Sequence, residues 1–84
     1  MDIREQYRER AIQFVIEWGY NEVSDHILDI MVSIMATRDK SSYAGGSFVQ
    51  SVVNNDLFGA INRADSECSK HLKLLVVCNA NCYL

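Results

Sequence analysis

Apolar residues recur along the first part of the chain at helical spacing. Ile3, Tyr7, Ala11, Phe14 and Trp18 follow one another at steps of four, four, three and four, which stacks them on one side of an α-helix. The pattern predicts a helix from Asp2 to Trp18, opened by Asp2 with Glu5 and closed by Gly19. Ile12 and Ile16 fall on the opposite side, near Glu5 and Glu9, so either another element covers them or they face water. A second helix is expected to start near Ser24, with Val23 and Leu28 placed as a hydrophobic staple across the cap. Asp25 suits its N-terminal dipole end, and Arg38 with Lys40 suits its C-terminal end. Ile27, Leu28, Ile30, Met31, Val32, Ile34 and Met35 cover well over half of its circumference, the mark of a central helix packed on more than one side.

A polar, serine-rich loop from Arg38 to Gly46 follows and ends in Tyr43-Ala44-Gly45-Gly46. The glycine pair permits a sharp turn. Ser47 with Gln50 reads as a capping box opening a short helix, whose apolar face is Phe48, Val49, Val52 and Val53. Asn54-Asn55 interrupts it, with Val53 and Phe58 placed as a staple around an Asn54 cap. A second short helix, about 55–64, is expected to bury Leu57, Ile61 and Ala64, with Phe58 on its flank. In the segment 66–84, Leu72, Leu75, Val76, Cys82 and Tyr83 share one helical side. Helix is favoured there, although the consecutive apolar residues Leu74 to Val77 leave a buried strand open. The expected fold is all-α: one compact domain over residues 1–84, a bundle of four to five helices with two short helices after the Gly-Gly turn.

Three blocks of the central stretch carry a resemblance. Gly-Gly-Ser-Phe-Val at Gly45 to Val49, Val-Val-x-Asn-Asp-Leu at Val52 to Leu57 and Ala-x-x-Arg-Ala-Asp at Ala60 to Asp65 look like a block shared by small accessory proteins of bacteriophages and mobile elements. Proteins of that kind include inhibitors of host defence such as anti-CRISPR proteins. The resemblance implies that kind of role and supplies no catalytic residue and no named target.

Composition narrows the classes. The 84-residue chain is 49% hydrophobic with no proline, which fits a folded, mostly helical domain with a limited core. It has no apolar run of membrane-spanning length, and the start Met-Asp-Ile-Arg-Glu is too charged for a secretory signal. A cytoplasmic location is therefore expected, in the host cell if the chain is phage-encoded. A net charge of −3 argues against direct nucleic-acid binding, which recruits clustered Lys and Arg. A helix-turn-helix reading fails for the same reason, since Ser47 to Asn55 has no cation to meet phosphates or bases. A phosphate loop would need a wider glycine spacing and a Lys before Ser or Thr. Nucleotide binding is not expected.

Reactive side chains are few. Cys68, Cys78 and Cys82 lie near one end and cannot staple the fold, so buried reduced thiols are expected. With His71 they offer the ligand types zinc prefers. On one continuous helix, however, the outermost of them would be about 21 Å apart. His26 is best read as part of a solvated helix face, and no nucleophile, base and orienting group are grouped in the sequence. No catalysis, no metal and no cofactor are expected.

What remains is surface for another protein. Glu17, Glu22, Asp25 and Asp29 lie in a region, Ala11 to Thr37, without Lys or Arg. Such acids can steer a basic partner surface or simply keep the face solvated. Ile12, Ile16 and Tyr20 beside them offer an apolar anchor with the acids as rim, unless the C-terminal segment covers them. Tyr43 in the loop is a further candidate contact, or packs its ring over the helix ends. The expectation is a non-catalytic inhibitor that binds a host protein or complex by steric and electrostatic occlusion, with acids competing at a nucleic-acid-binding surface. The alternative is a structural accessory subunit, a homodimer through Ile12, Ile16 and Tyr20.

Overall fold

The computed structural model describes residues 2–41 and 44–84. Tyr43 lies outside these described residues. The described chain forms helices only: α1 (Ile3–Glu17), α2 (Asp25–Asp39), α3 (Ser47–Val53), α4 (Leu57–Arg63), α5 (Ser66–Lys70) and α6 (Leu72–Asn81). The all-α expectation holds, with six helices in place of four to five. A radius of gyration of 11.6 Å matches the roughly 12 Å of a compact chain this long. No helix among the described residues is long and apolar enough to cross a membrane.

The centre is α2, which packs on α1, α3 and α6. Ile27, Met31, Ile34 and Met35 are fully buried on it, so its apolar girth is consumed by neighbours on several sides. Both ends are defined by local chemistry. Ser24 Oγ accepts from the Ile27 N–H at 3.2 Å. At the other end Lys40 takes a left-handed conformation, φ 56°, and the Ser41 N–H closes on the Ala36 carbonyl at 3.0 Å. Helix α1 starts as expected, Asp2 accepting from the Arg4 N–H, and ends at Gly19 with φ +82°. Its core contacts are Tyr7, Ala11, Phe14 and Val15. Trp18, the last residue of the predicted stripe, remains 45% exposed.

Two side chains tie α2's far end to the rest. The Tyr7 hydroxyl from α1 donates to Asp39 Oδ2 at 3.0 Å and shares a hydrogen bond with Ser41 Oγ. Arg38 grips Asp39 with two donors and donates to the Asn79 carbonyl at 2.9 Å near the C-terminus of α6. Its guanidinium also lies over the Tyr83 ring, 4.2 Å from the centroid, a cation–π contact. Burial raises the Tyr7 pKa, and the Arg38 hydrogen bond holds the Asp39 carboxyl below its ordinary range.

Beyond α2, three helix ends depart from expectation. Gly46, not Ser47, occupies the α3 N-cap, and Ser47 is the first helical residue. Gln50 still reaches back, its Nε2 donating to the Gly45 carbonyl at 2.7 Å. Neither glycine needs positive φ. Gly45 is instead a close approach: a Cβ there would lie 2.6 Å from Ser33 Oγ and 2.7 Å from Val49 Cγ1. Asn54 does not cap α4. Asn55 turns the chain through φ 59°, a conformation Asn tolerates, and Asp56 becomes the cap, accepting from the Gly59 N–H at 3.0 Å.

The third departure lies after Ser66. One helix was expected, but the chain breaks at His71, whose N–H is shared between the Glu67 and Cys68 carbonyls. Which side of α6 turns inward is set by its packing on α2 and α3. Leu74, Leu75, Cys78 and Cys82 are buried, while Val76 and Tyr83, expected inside, are 41% and 53% exposed.

Two outcomes test this account. Gly45→Ala should lower stability by about 1–3 kcal/mol through overpacking, whereas Gly46→Ala, with open space around it, should cost less than about 1 kcal/mol; urea denaturation of both variants separates the two. The depressed Asp39 pKa contributes stability that is present above its unfolded value of 3.8 and lost as pH falls through the lower folded value. Asp39→Asn should therefore be less stable than wild type at neutral pH and converge with it in acid, measured by thermal melts across that range.

Candidate functional site

Helix α4 is short and turns its small residues inward. Gly59 and Ala60 are buried, and a Cβ on Gly59 would collide with the Asp56 carboxylate and Arg63. Close packing on α3 leaves the large residues of the same helix outside. Leu57 is 61% exposed, Phe58 78% and Ile61 53%. This corrects the expectation that Leu57 and Ile61 are buried: seven residues make two turns, and the inner side of those turns is taken by Gly59 and Ala60. Beside them Val52, Leu57, Ala60 and Val76 line an apolar groove of about 230 Å³, with Asp56 and Asn55 on its edge. Three large apolar side chains on one short helix form the kind of patch that marks a contact surface.

A second apolar face lies at the junction of α1 and α2. Ile12 and Ile16 are 42% and 68% exposed; the C-terminal segment does not cover them. With Val15, Val23 and Leu28 they line a groove of about 310 Å³, edged by Asn21 and Glu22. Tyr20 is half-buried against the core, so it offers only part of its ring to that face.

The acids around this face are not bare. Arg8 bridges Asp25 and Asp29, at 2.8 Å to each, and Arg10 pairs with Glu17 at 3.1 Å. Both arginines precede the cation-free stretch in sequence; the packing of α1 on α2 carries Arg8 onto it, while Arg10 reaches Glu17 two turns along its own helix. Glu17, Asp25 and Asp29 thus have partners, and the local field is weaker than the sequence suggests. Glu22 stands at the groove edge.

The cysteines divide into two groups. Cys78 and Cys82 are adjacent and fully buried, the hydrogen bond between their thiols raising the Cys78 pKa and lowering that of Cys82. Cys68 sits apart in α5, and His71 directs its Nδ1 to the Glu67 carbonyl. The four residues weighed as zinc ligands are therefore not brought together. A different set converges: His26 on the first turn of α2, Asp65 capping α5 and Cys68 one turn later, with a donor atom from each within 4.8 Å of the others. Asp65 Oδ1 accepts from the Cys68 N–H at 2.7 Å and Oδ2 contacts His26 Nε2 at 2.8 Å. The Cys68 backbone hydrogen bond, then the His26 contact, lowers the Asp65 pKa. Burial pushes the Cys68 thiol up to about 12, the reverse of what an activated nucleophile needs.

Because the Arg8 bridge is exposed, removing it should cost little stability and much neutralisation. Arg8→Ala is expected to change unfolding free energy by no more than about 1 kcal/mol, yet to raise retention on a polycationic resin at low salt as Asp25 and Asp29 lose their counter-charge. Equal retention of the two proteins would mean the pair does not mask the acids.

No family model, curated protein or solved structure matches the chain.

Proposed function

We propose that this chain is a protein-binding module that acts by contact, with the outer face of α4 as its anchor. The observation that carries the reading is the exposure of Leu57, Phe58 and Ile61 on one short helix. A monomer gains nothing from showing three large apolar side chains side by side, whereas a partner pocket would desolvate them, and aromatic anchors of this kind dominate interface energetics. Asp56 and Arg63, paired loosely at 3.9 Å, supply a polar edge. In this reading, which takes up the resemblance of the same central blocks to phage and mobile-element accessory proteins, the partner is a host defence complex inhibited by occlusion of a working surface. The acids Glu17, Glu22, Asp25 and Asp29 would then act as a secondary rim, since Arg8 and Arg10 offset half of their charge.

A second reading is favoured by the exposure of Ile12 and Ile16: self-association through the α1–α2 face with Tyr20 at its margin. Light scattering of the pure protein distinguishes the two, a monomer leaving the homodimer without support.

The leading reading predicts that Phe58→Glu combined with Ile61→Glu abolishes capture of the host complex, while Ile12→Glu with Ile16→Glu preserves it. The α4 double variant should keep its stability within about 1 kcal/mol, because Phe58 and Ile61 are more exposed than buried, whereas the Ile12 and Ile16 variant should lose more, Ile12 being 42% exposed. Phe58→Ala alone should weaken binding by tenfold or more, as expected of a central aromatic anchor costing about 2 kcal/mol. Undiminished binding by the α4 double variant would rule this surface out.

A further inference from the structure

We propose that His26, Asp65 and Cys68 form a binding site for a single zinc ion, with the imidazole, one carboxylate oxygen and the thiolate as its three protein ligands. The argument begins with convergence from distant points. His26 comes from the first turn of α2, and Asp65 and Cys68 come from the cap and first turn of α5, 39 and 42 positions on. Their donor atoms all lie within 4.8 Å of one another. Tetrahedral zinc holds such donors about 3.3–3.8 Å apart, given bonds of about 2.0–2.3 Å, so side-chain shifts of about 1 Å or less form the site, the His26 and Asp65 donors parting from their 2.8 Å contact and the widest pair closing. His26 and Asp65 have side chains 46% and 55% exposed, which gives an ion entry from water, while Cys68 is buried beneath them.

The chemistry of the set selects the metal. One nitrogen, one oxygen and one sulfur suit zinc and exclude calcium and magnesium, which require several hard oxygen ligands. A neutral imidazole, a carboxylate and a thiolate sum to two negative charges, matching the ion. In the metal-free protein the Cys68 thiol and the His26 ring both turn toward the Asp65 carboxylate. Zinc would take the place of the thiol proton, which leaves to solvent as the Zn–S bond forms, and of the hydrogen between His26 Nε2 and Asp65 Oδ2, the neutral ring then keeping its one proton on Nδ1. The supporting groups are already set. Asp65 Oδ1 is held by the Cys68 N–H, so Oδ2, which contacts His26 in the metal-free protein, is the oxygen that would turn to the ion, and Ser24 both caps the turn that carries His26 and hydrogen-bonds Glu67. Outer partners of this kind hold ligands in register for a metal. The fourth position is open to water. Binding would clamp the five-residue α5 to the central helix, a fold-stabilising role independent of the α4 surface.

The test uses the reduced full chain with zinc chloride and, separately, cobalt(II) as a spectroscopic stand-in. The expected result is one ion per chain, a near-ultraviolet thiolate-to-cobalt absorption band and a thermal midpoint raised by about 10 °C at a hundredfold excess over Kd. His26→Ala, an exposed change that leaves the core intact, should weaken binding at least tenfold and remove the thermal shift. Cys68→Ser should remove the absorption band. Absence of binding, binding by His26→Ala at wild-type strength, or a band that survives in Cys68→Ser would each overturn the proposal, the last by assigning the ion to Cys78 and Cys82.

Discussion

The rest of the molecule depends on enclosing α2. A helix whose apolar residues run around most of its circumference cannot rest on a single neighbour, because every uncovered side leaves large side chains in water at about 1.5–3 kcal/mol each. In 84 residues there is no room for a second layer, so α1, α3 and α6 must all be spent on this one surface. Ile27, Met31, Ile34 and Met35, each without measurable exposure, are the outcome. The two methionines matter here, since their unbranched chains fill gaps between helices that approach from different directions.

That demand shapes what the remaining helices do. With α1, α3 and α6 committed to the centre, α4 docks mainly on α3 and α5 mainly on α6. Both are short and held chiefly by their caps, Asp56 for one and Asp65 for the other. The surface they present is accordingly the part least constrained by the core. It is there that the exposed Leu57, Phe58 and Ile61 sit, and there that Asp65 and Cys68 meet His26. Candidate chemistry and candidate contact both fall on the periphery of a fold whose interior is fully used.

Polar groups seal the opposite end. Tyr7, Arg38, Asp39 and Ser41 join the start of α1, the end of α2 and the last turn of α6 in one hydrogen-bonded cluster. Arg38 satisfies the Asn79 carbonyl in the last turn of α6, where helical carbonyls run out of intrahelical donors, and the neighbouring Asp39 balances its charge. The stacking of Arg38 on Tyr83 brings the final residues of the chain against the same point.

The sequence alone determined the features that depend on near neighbours. The start and end of α1, the cap at Ser24, the central rank of α2 and the all-α class follow from stripes, caps and Gly19, because a helix is specified by contacts within a turn or two. The short elements were legible as helices but not in their phase. Asn55 could turn the chain and leave the cap to Asp56, and packing on α2 and α3 decided which face of α6 is buried. The adjacent small residues Gly59 and Ala60 were a readable sign that the inner side of α4 would be narrow and its large residues outside. Only the tertiary structure decided which charges meet. Arg8 reaches Asp25 and Asp29, and His26 reaches Asp65, across separations of 17 to 39 positions, since helix packing rather than sequence distance sets which side chains face one another.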